Sequence, residues 1–404
     1  MAGTDERGGP DHWEDRTQAG GAAEAAPEGI APEGTSPALA ARDHGAQPGT
    51  EAPQRPALGF SPSRMMPGWL AGAGGALAFT TYQANKLFLI GMNPETGRLS
   101  FFERTFPRCM GLGVSSSGLW MSSIHTLWQF RNFLDPGQVK DGFDAVYVPI
   151  KGHTTGDIDI HDVHMDENDA PIFVATRFNC LARIGPDVSF QPVWMPPFID
   201  RLAAEDRCHL NGLAMRDRKP AFVTCVARSN VSGGWREHRR DGGIVIDVES
   251  GEIVASGLSM PHSPRLRDGK LWLMQSGTGE FGYVDLDTGR FESVAFMQGF
   301  ARGLAFAGEH AIVGVSRPRP EKTFEGLALD ERLAKEGVSA KCYLAFVNLA
   351  TGDVEHTLGI EGYVQELYDV GFVPGIRRPQ VIGFRTDEIR YLIRPGRLPE
   401  AAGA

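Results

Sequence analysis

From residue 58 onward the chain is written in short apolar runs separated by Gly, Pro, Asp and Asn. Runs at 86–90 (Lys-Leu-Phe-Leu-Ile), 171–176 (Pro-Ile-Phe-Val-Ala-Thr), 221–226 (Ala-Phe-Val-Thr-Cys-Val), 243–247 (Gly-Ile-Val-Ile-Asp), 271–275 (Leu-Trp-Leu-Met-Gln) and 343–347 (Tyr-Leu-Ala-Phe-Val) are β-branched and aromatic. That texture predicts strands throughout. One segment departs from it. Residues 325–336 place Leu329 and Leu333 at helical spacing, which predicts a helical insertion over one mouth of the fold.

Seven segments read as versions of one strand. They lie at 67–70 (Pro-Gly-Trp-Leu), 110–113 (Met-Gly-Leu-Gly), 161–164 (His-Asp-Val-His), 211–214 (Asn-Gly-Leu-Ala), 262–265 (His-Ser-Pro-Arg), 302–305 (Arg-Gly-Leu-Ala) and 366–369 (Glu-Leu-Tyr-Asp). They recur at intervals of 40 to 64 residues. A period of about 40 to 50 residues marks a β-propeller, in which each blade's innermost strand reaches a central channel. A second repeat agrees. Residues 93–97, 247–251, 285–289 and 348–352 share the pattern Asx, three residues, Gly. Gly accepts positive φ and Asx caps the turn, so each predicts a hairpin shortly before an inner strand.

The expected fold is therefore an all-β propeller spanning residues 58–395. Seven blades are favoured. Six is the alternative if 67–70 forms no strand, with 77–103 then completing the last blade. Closure of the ring should pair the two ends, because it removes exposed strand edges. Residues 1–57 are rich in Ala, Gly, Pro and Glu, a composition that predicts a disordered tail. Residues 396–404 are expected to be a flexible C-terminus.

Composition narrows the function. A net charge of −10 makes a phosphate backbone a poor partner, so no nucleic-acid binding is expected. No run of about 18 apolar residues exists, so no membrane span is expected. The N-terminus lacks an apolar signal region, and the five cysteines form no Cys-x-x-Cys pair. Both features predict reduced thiols in a cytoplasmic protein.

The candidate chemistry lies in the repeat. Met110 suits the hub of a propeller, whereas His161, Asn211, His262, Arg302 and Glu366 do not unless they are paired, solvated or functional. His209 lies two residues before Asn211 and adds a third imidazole on the same face; His153 is a weaker candidate. His161 and His164 fall on opposite faces of a regular strand, with Asp157 and Asp159 placed to orient His161. His161, His209, His262 and Glu366 form a set suited to a divalent transition metal such as Zn, Fe, Mn or Cu. Arg302 suits an anionic group in the channel, with Arg265 and Tyr368 as further substrate-binding candidates. Asn211 would orient that substrate, and Glu366, if not a ligand, would act as general base. Cys208 reads as core, Asp369 as a turn or interblade residue, and 236–240 as a solvated loop.

The segments 79–83 (Phe-Thr-Thr-Tyr-Gln), 156–163, 205–214, 258–265 and 366–370 resemble those of an uncharacterised bacterial family, a domain-of-unknown-function group. The resemblance covers roughly 65–385 and implies no activity. The layout is also similar to gluconolactonase-like and strictosidine-synthase-like propellers, which carry metal or catalytic residues at inner strand ends. The calcium-binding lactonases use a more oxygen-rich set, so lactonase chemistry is not implied.

Two functions lead, with a metal-free acid–base enzyme using the same histidines as a third. The first is a metal-dependent enzyme acting on a small anionic molecule in the channel, its reaction type open among hydrolase, lyase and oxidoreductase. The second is a non-catalytic propeller that binds a protein partner or ligand. In that case Arg302 pairs with Glu366, the histidines bond to backbone, and the hub is a polar plug.

Overall fold

In the computed structural model, which describes residues 57–318 and 325–396, the inner strands close into a ring of six. Blade 1 runs outward through Leu112–Ser115, Gly118–Ser122, Thr126–Asn132 and Ala145–Thr154, with Pro379–Val381 parallel to its edge. Blade 2 holds Ile160–Met165, Pro171–Ala175, Cys180–Arg183 and Gln191–Trp194. Blade 3 holds Leu210–Arg216, Lys219–Cys225, Gly243–Asp247 and Ile253–Leu258. Blade 4 holds Pro261–Arg267, Lys270–Gln275, Glu280–Asp285 and Arg290–Phe296. Blade 5 holds Phe300–Ala307, His310–Ser316, Tyr343–Asn348 and Val354–Glu361, with Gly59–Pro62 added outside. Blade 6 takes its inner strand, Val370–Pro374, from the C-terminal part of the chain and its other three from Gly75–Thr81, Lys86–Asn93 and Arg98–Thr105.

The favoured seventh blade does not form; the six-blade alternative does. Residues 67–70 lie in a helix, Met66–Ala73, with proline at its start and Gly74 at φ 66 ending it. Met66 and Leu70 bury against the core between blades 5 and 6. The sheet position that a first strand would have filled belongs to Val370–Pro374, whose Val370 pairs with Phe79 and Pro374 with Gly75.

The blades cohere through their faces. The second strands Gly75–Thr81, Pro171–Ala175 and Gly118–Ser122 are buried along their whole length, while in the outer strand Arg98–Thr105 no residue is fully buried. Each large apolar cluster joins neighbours: Ile172 and Val174 of blade 2 pack with Leu213 and Val223 of blade 3, and Trp272 and Met274 of blade 4 with Leu304 and Val313 of blade 5. Burial of these faces, at about 25 cal/mol per Å² of apolar surface, is the main force holding the ring.

The four Asx-to-Gly turns are all present. Gly97, Gly251, Gly289 and Gly352 take φ of 64, 75, 69 and 81 and donate N–H to the carbonyls of Asn93, Asp247, Asp285 and Asn348. The helical insertion is also present as Ala328–Glu336, with Leu329 and Leu333 buried against Trp235, Met260 and Phe300. It therefore lies at the end where the inner strands of blades 4 and 5 begin. Among the described residues no helix is long and apolar enough to cross a membrane. All five cysteines are buried free thiols. The tail expected at 1–57, Ala57 apart, and the C-terminus expected at 396–404, Gly396 apart, lie outside the described residues.

Candidate functional site

Regular alternation fails at the hub, and that failure builds the site. The inner strands of blades 2, 3, 4 and 5 all shift register against their partners near the hub residue, as between Leu210 and Gly212 or between His262 and Arg265. Asp159, His209, Met260 and Ser263 sit at φ of 59, 50, 47 and 50. Such bulges re-aim side chains. His161, His209, His262 and Arg302 all lie at or next to the beginnings of their inner strands.

The His161 and His209 rings meet edge to face at 4.9 Å, and His161 meets Tyr368 at 5.6 Å. The Arg302 guanidinium lies 4.9 Å from the Tyr368 ring and 5.0 Å from Phe300, which in turn packs on His262 at 5.5 Å. Five of the predicted residues are thus brought together.

One hydroxyl per blade sets each of three hub side chains. Thr176 Oγ1 donates to the Leu210 carbonyl at 2.6 Å, so it can only accept from His161 Nδ1 at 2.8 Å. Ser276 Oγ donates to the Ala301 carbonyl at 2.5 Å and accepts from His262 Nδ1 at 3.0 Å. Both Nδ1 atoms also face a backbone carbonyl, Asp159 at 3.0 Å and Met260 at 2.8 Å. His209 Nδ1 lies 3.0 Å from the Asp206 carboxylate, which also accepts from Trp235 Nε1 at 2.8 Å. All three imidazoles therefore turn Nδ1–H to a fixed acceptor, and His161 and His262, both disfavoured as cations, keep Nε2 as a lone pair. Thr224 Oγ1 donates to Asn211 Oδ1 at 2.7 Å, which leaves the Asn211 Nδ2 group as the free end of the amide.

Electrostatics keep His161 and His262 neutral. Burial, reinforced by His209 and Arg302, pushes His161 down to about 4 despite the opposing pull of Asp159. Burial and then Arg302 push His262 well below its ordinary value. Burial raises Asp206, but His209, His161 and the Trp235 N–H outweigh it and hold the carboxyl low.

Some expectations need correction. In the last segment the hub register falls two residues later than the repeat at 366–369 predicts. Asp369 caps Val370 N and accepts from Leu112 N in the next blade at 2.8 Å, just as Asp162 caps Val163 N and accepts from Leu213 N at 3.0 Å. Tyr368, not Glu366, therefore holds the hub register. Glu366 is buried and pairs with Arg302 at 3.3 Å. Arg265 does turn inward past Pro264, but toward Asp162 at 2.8 Å and Asp369 at 3.8 Å. Burial raises Asp162, yet Arg265 and His164 outweigh it and hold it low. His164 faces Asp162 at 3.2 Å, on this second layer and away from His161. His153 lies on the outermost antiparallel strand of blade 1, bonded to the Ser189 carbonyl at 2.8 Å. Asp157 pairs with Arg108 and Arg177, and Asp159 orients His161 mainly through its carbonyl. Cys208 is core, as expected.

Among the described residues, the ligand atoms of His161, His209, His262 and Glu366 do not draw within 4.8 Å of one another as a set; those of His310, Glu355 and His356 do. Two buried hub donors, Asn211 Nδ2 and Arg302 Nε, find no hydrogen-bond partner within the described protein. Sequence reasoning missed Thr176, Ser276, Asp206 and Trp235. The hydroxyls had a legible signal: Thr80, Ser122, Thr176, Ser276 and Ser316 lie at or just past the ends of the second strands of five blades, and all donate to a backbone carbonyl in or shortly before the next inner strand.

Residues 64–382 match the model of a family described as a domain of unknown function (DUF4915). No curated protein matches the chain. Among solved structures the chain is similar to one in a nidogen/laminin complex, at 10% identity over 75% of this chain and 99% of that one, with a TM-score of 0.48. It is also similar to a protein of unknown function from Bacteroides caccae (11% identity, 74% and 99% covered, TM-score 0.41) and to virginiamycin B lyase from Staphylococcus aureus (13%, 75% and 99%, TM-score 0.35). Likenesses this low carry no information about chemistry.

Proposed function

The chain belongs to the DUF4915 family, a domain of unknown function, and we propose that it is an enzyme acting on a small anionic substrate at the hub, with a divalent transition metal held by His161, His209 and His262. The observation that carries this reading is the shared orientation: three hub imidazoles have Nδ1 tied to fixed acceptors, which leaves Nε2 as the atom to offer a ligand. An Nδ1–H held by a carbonyl or carboxylate is the usual support of an Nε2 metal ligand. The donor set fits zinc, iron, manganese or copper, and the ligand atoms must move inward to share one ion. Bound there, such an ion would supply Lewis-acid polarisation or an activated water.

The remaining roles fall to the chain. The unpartnered Arg302 Nε and Asn211 Nδ2 are buried donors, and buried donors call for an acceptor. They suit the carboxylate or phosphate oxygens of a substrate. Glu366 holds Arg302 in place and is a positioning residue rather than a base or ligand. Tyr368 forms a wall beside His161 and Arg302. Arg265, bound to two aspartates, supports the channel and does not meet the substrate. The five buried thiols fit a reducing, cytoplasmic setting.

The plug reading also has support, since Arg302 does pair with Glu366 and two histidines do bond to backbone. Elemental analysis separates the two. Protein purified with added zinc or iron should hold a hub ion that is lost in His161→Ala plus His262→Ala, with the far-ultraviolet circular dichroism unchanged. Equal metal content in both proteins defeats the metal reading and leaves the plug.

A further inference from the structure

We propose that His310, Glu355 and His356, on the flank of blade 5 away from the hub, form a second and independent site for a divalent transition-metal ion of the zinc, nickel or copper(II) type. The ligand atoms of the three residues lie within 4.8 Å of one another. In a regular strand, residues 355 and 356 would face opposite ways. Here Val347 pairs with Val354 and Phe346 with His356, so Glu355 is the extra residue of a β-bulge. The bulge brings the carboxylate and the His356 imidazole to the same side. His310 reaches them from the start of the strand His310–Ser316.

The cluster is already oriented. His310 Nε2 contacts Glu355 Oε2 at 2.7 Å, and the other carboxylate oxygen accepts from Asn348 Nδ2 at 2.8 Å. The His310 and His356 rings stack at 6.1 Å. Two imidazoles and one carboxylate, half exposed, give three protein ligands and leave a coordination position open to solvent. Nitrogen-rich donors of this kind favour zinc, nickel or copper(II) over calcium or magnesium.

Trp69 adds a specific consequence. Its indole N–H donates to His310 Nδ1 at 3.2 Å, so without an ion the ring proton sits on Nε2 and is given to Glu355. On loading, the Nε2 lone pair goes to the ion and the proton moves to Nδ1, with no net release. Trp69 N–H then loses its acceptor and turns to water, which its half-buried position allows. Loading thus costs about one neutral hydrogen bond.

The experiment uses the full chain carrying His161→Ala plus His262→Ala, so that a failure at the hub cannot be mistaken for a failure here. After chelator treatment it is titrated with Ni²⁺, and calorimetry and tryptophan emission are read together. About one equivalent should bind and quench emission. Adding His310→Ala plus His356→Ala should remove that equivalent. Glu355→Gln, which keeps the shape and the Asn348 contact, should weaken it about tenfold or more. Trp69→Phe should keep the stoichiometry, lose most of the quench and bind about fivefold tighter, because no hydrogen bond is forfeited. Unchanged stoichiometry in the His310/His356 variant overturns the site. Unchanged quenching in Trp69→Phe overturns the coupling to Trp69.

Discussion

His161 shows how a hydroxyl and a carbonyl decide what an imidazole can do. Thr176 has spent its proton on Leu210, so the imidazole must supply the one between them, and Nε2 is left as a base or ligand. Its depressed titration has a stability consequence. From the ordinary value of 6.5 down to about 4, the unfolded chain binds a proton that the folded chain refuses. The contribution is fully present above about pH 6.5, is lost as pH falls, and levels off below about 4. The loss amounts to roughly 3 kcal/mol. In metal-stripped protein, urea unfolding should show wild type losing stability relative to His161→Asn between about pH 7 and about pH 4.5. A difference that does not change with pH would contradict the neutral imidazole.

The inner strands are pinned to one another as elements, not only as faces. Asp162 holds Leu213 N, Asp369 holds Leu112 N, Ser263 holds Gly303 N, and Arg265 bridges the two carboxylates across the channel. Gly303, at φ 81, is required at one joint, since a Cβ there would stand 2.8 Å from Val370 N. Removing one partner of a buried ion pair strands the other's charge. Arg265→Leu should therefore cost about 3–5 kcal/mol, read as a lower denaturant midpoint with an unchanged slope. A cost within about 0.5 kcal/mol would show that the pair is solvated rather than structural.

For the whole molecule, closure is the controlling event. Blade 6 exists only when Val370–Pro374 pairs with Gly75–Thr81, so its inner strand comes from the far end of the fold. A chain ending at Leu367 loses that strand and the Asp369 pins. It leaves the second strand of blade 6 as an apolar edge, which invites association. Such a chain should melt without cooperativity and elute as aggregate on size exclusion. A single sharp transition near that of the full chain would mean that five blades and an open sheet suffice.

Much of this was legible along the chain. Hairpin chemistry is local, so four Asx-to-Gly turns could be read directly, and the period followed from polar residues recurring where a propeller exposes its hub. His161, His262 and Arg302 follow from that recurrence, and His209 from its place two residues before Asn211 on the same face. The blade count depended on a pairing between residues nearly 300 apart, and a helix took the place of the supposed first strand because that sheet position was already filled. The register at 366–369, the inward turn of Arg265 and the meeting of His310 with Glu355 and His356 all depended on bulges or loops. A single extra residue reverses which way every following side chain points, and nothing in local composition records it. The sequence by itself determined a ring of repeated sheets with a polar centre, because period and turn chemistry are properties of neighbouring residues. Only the tertiary structure decided which polar groups are spent on one another and which remain to bind, because a hydrogen-bond partner is settled by proximity across blades.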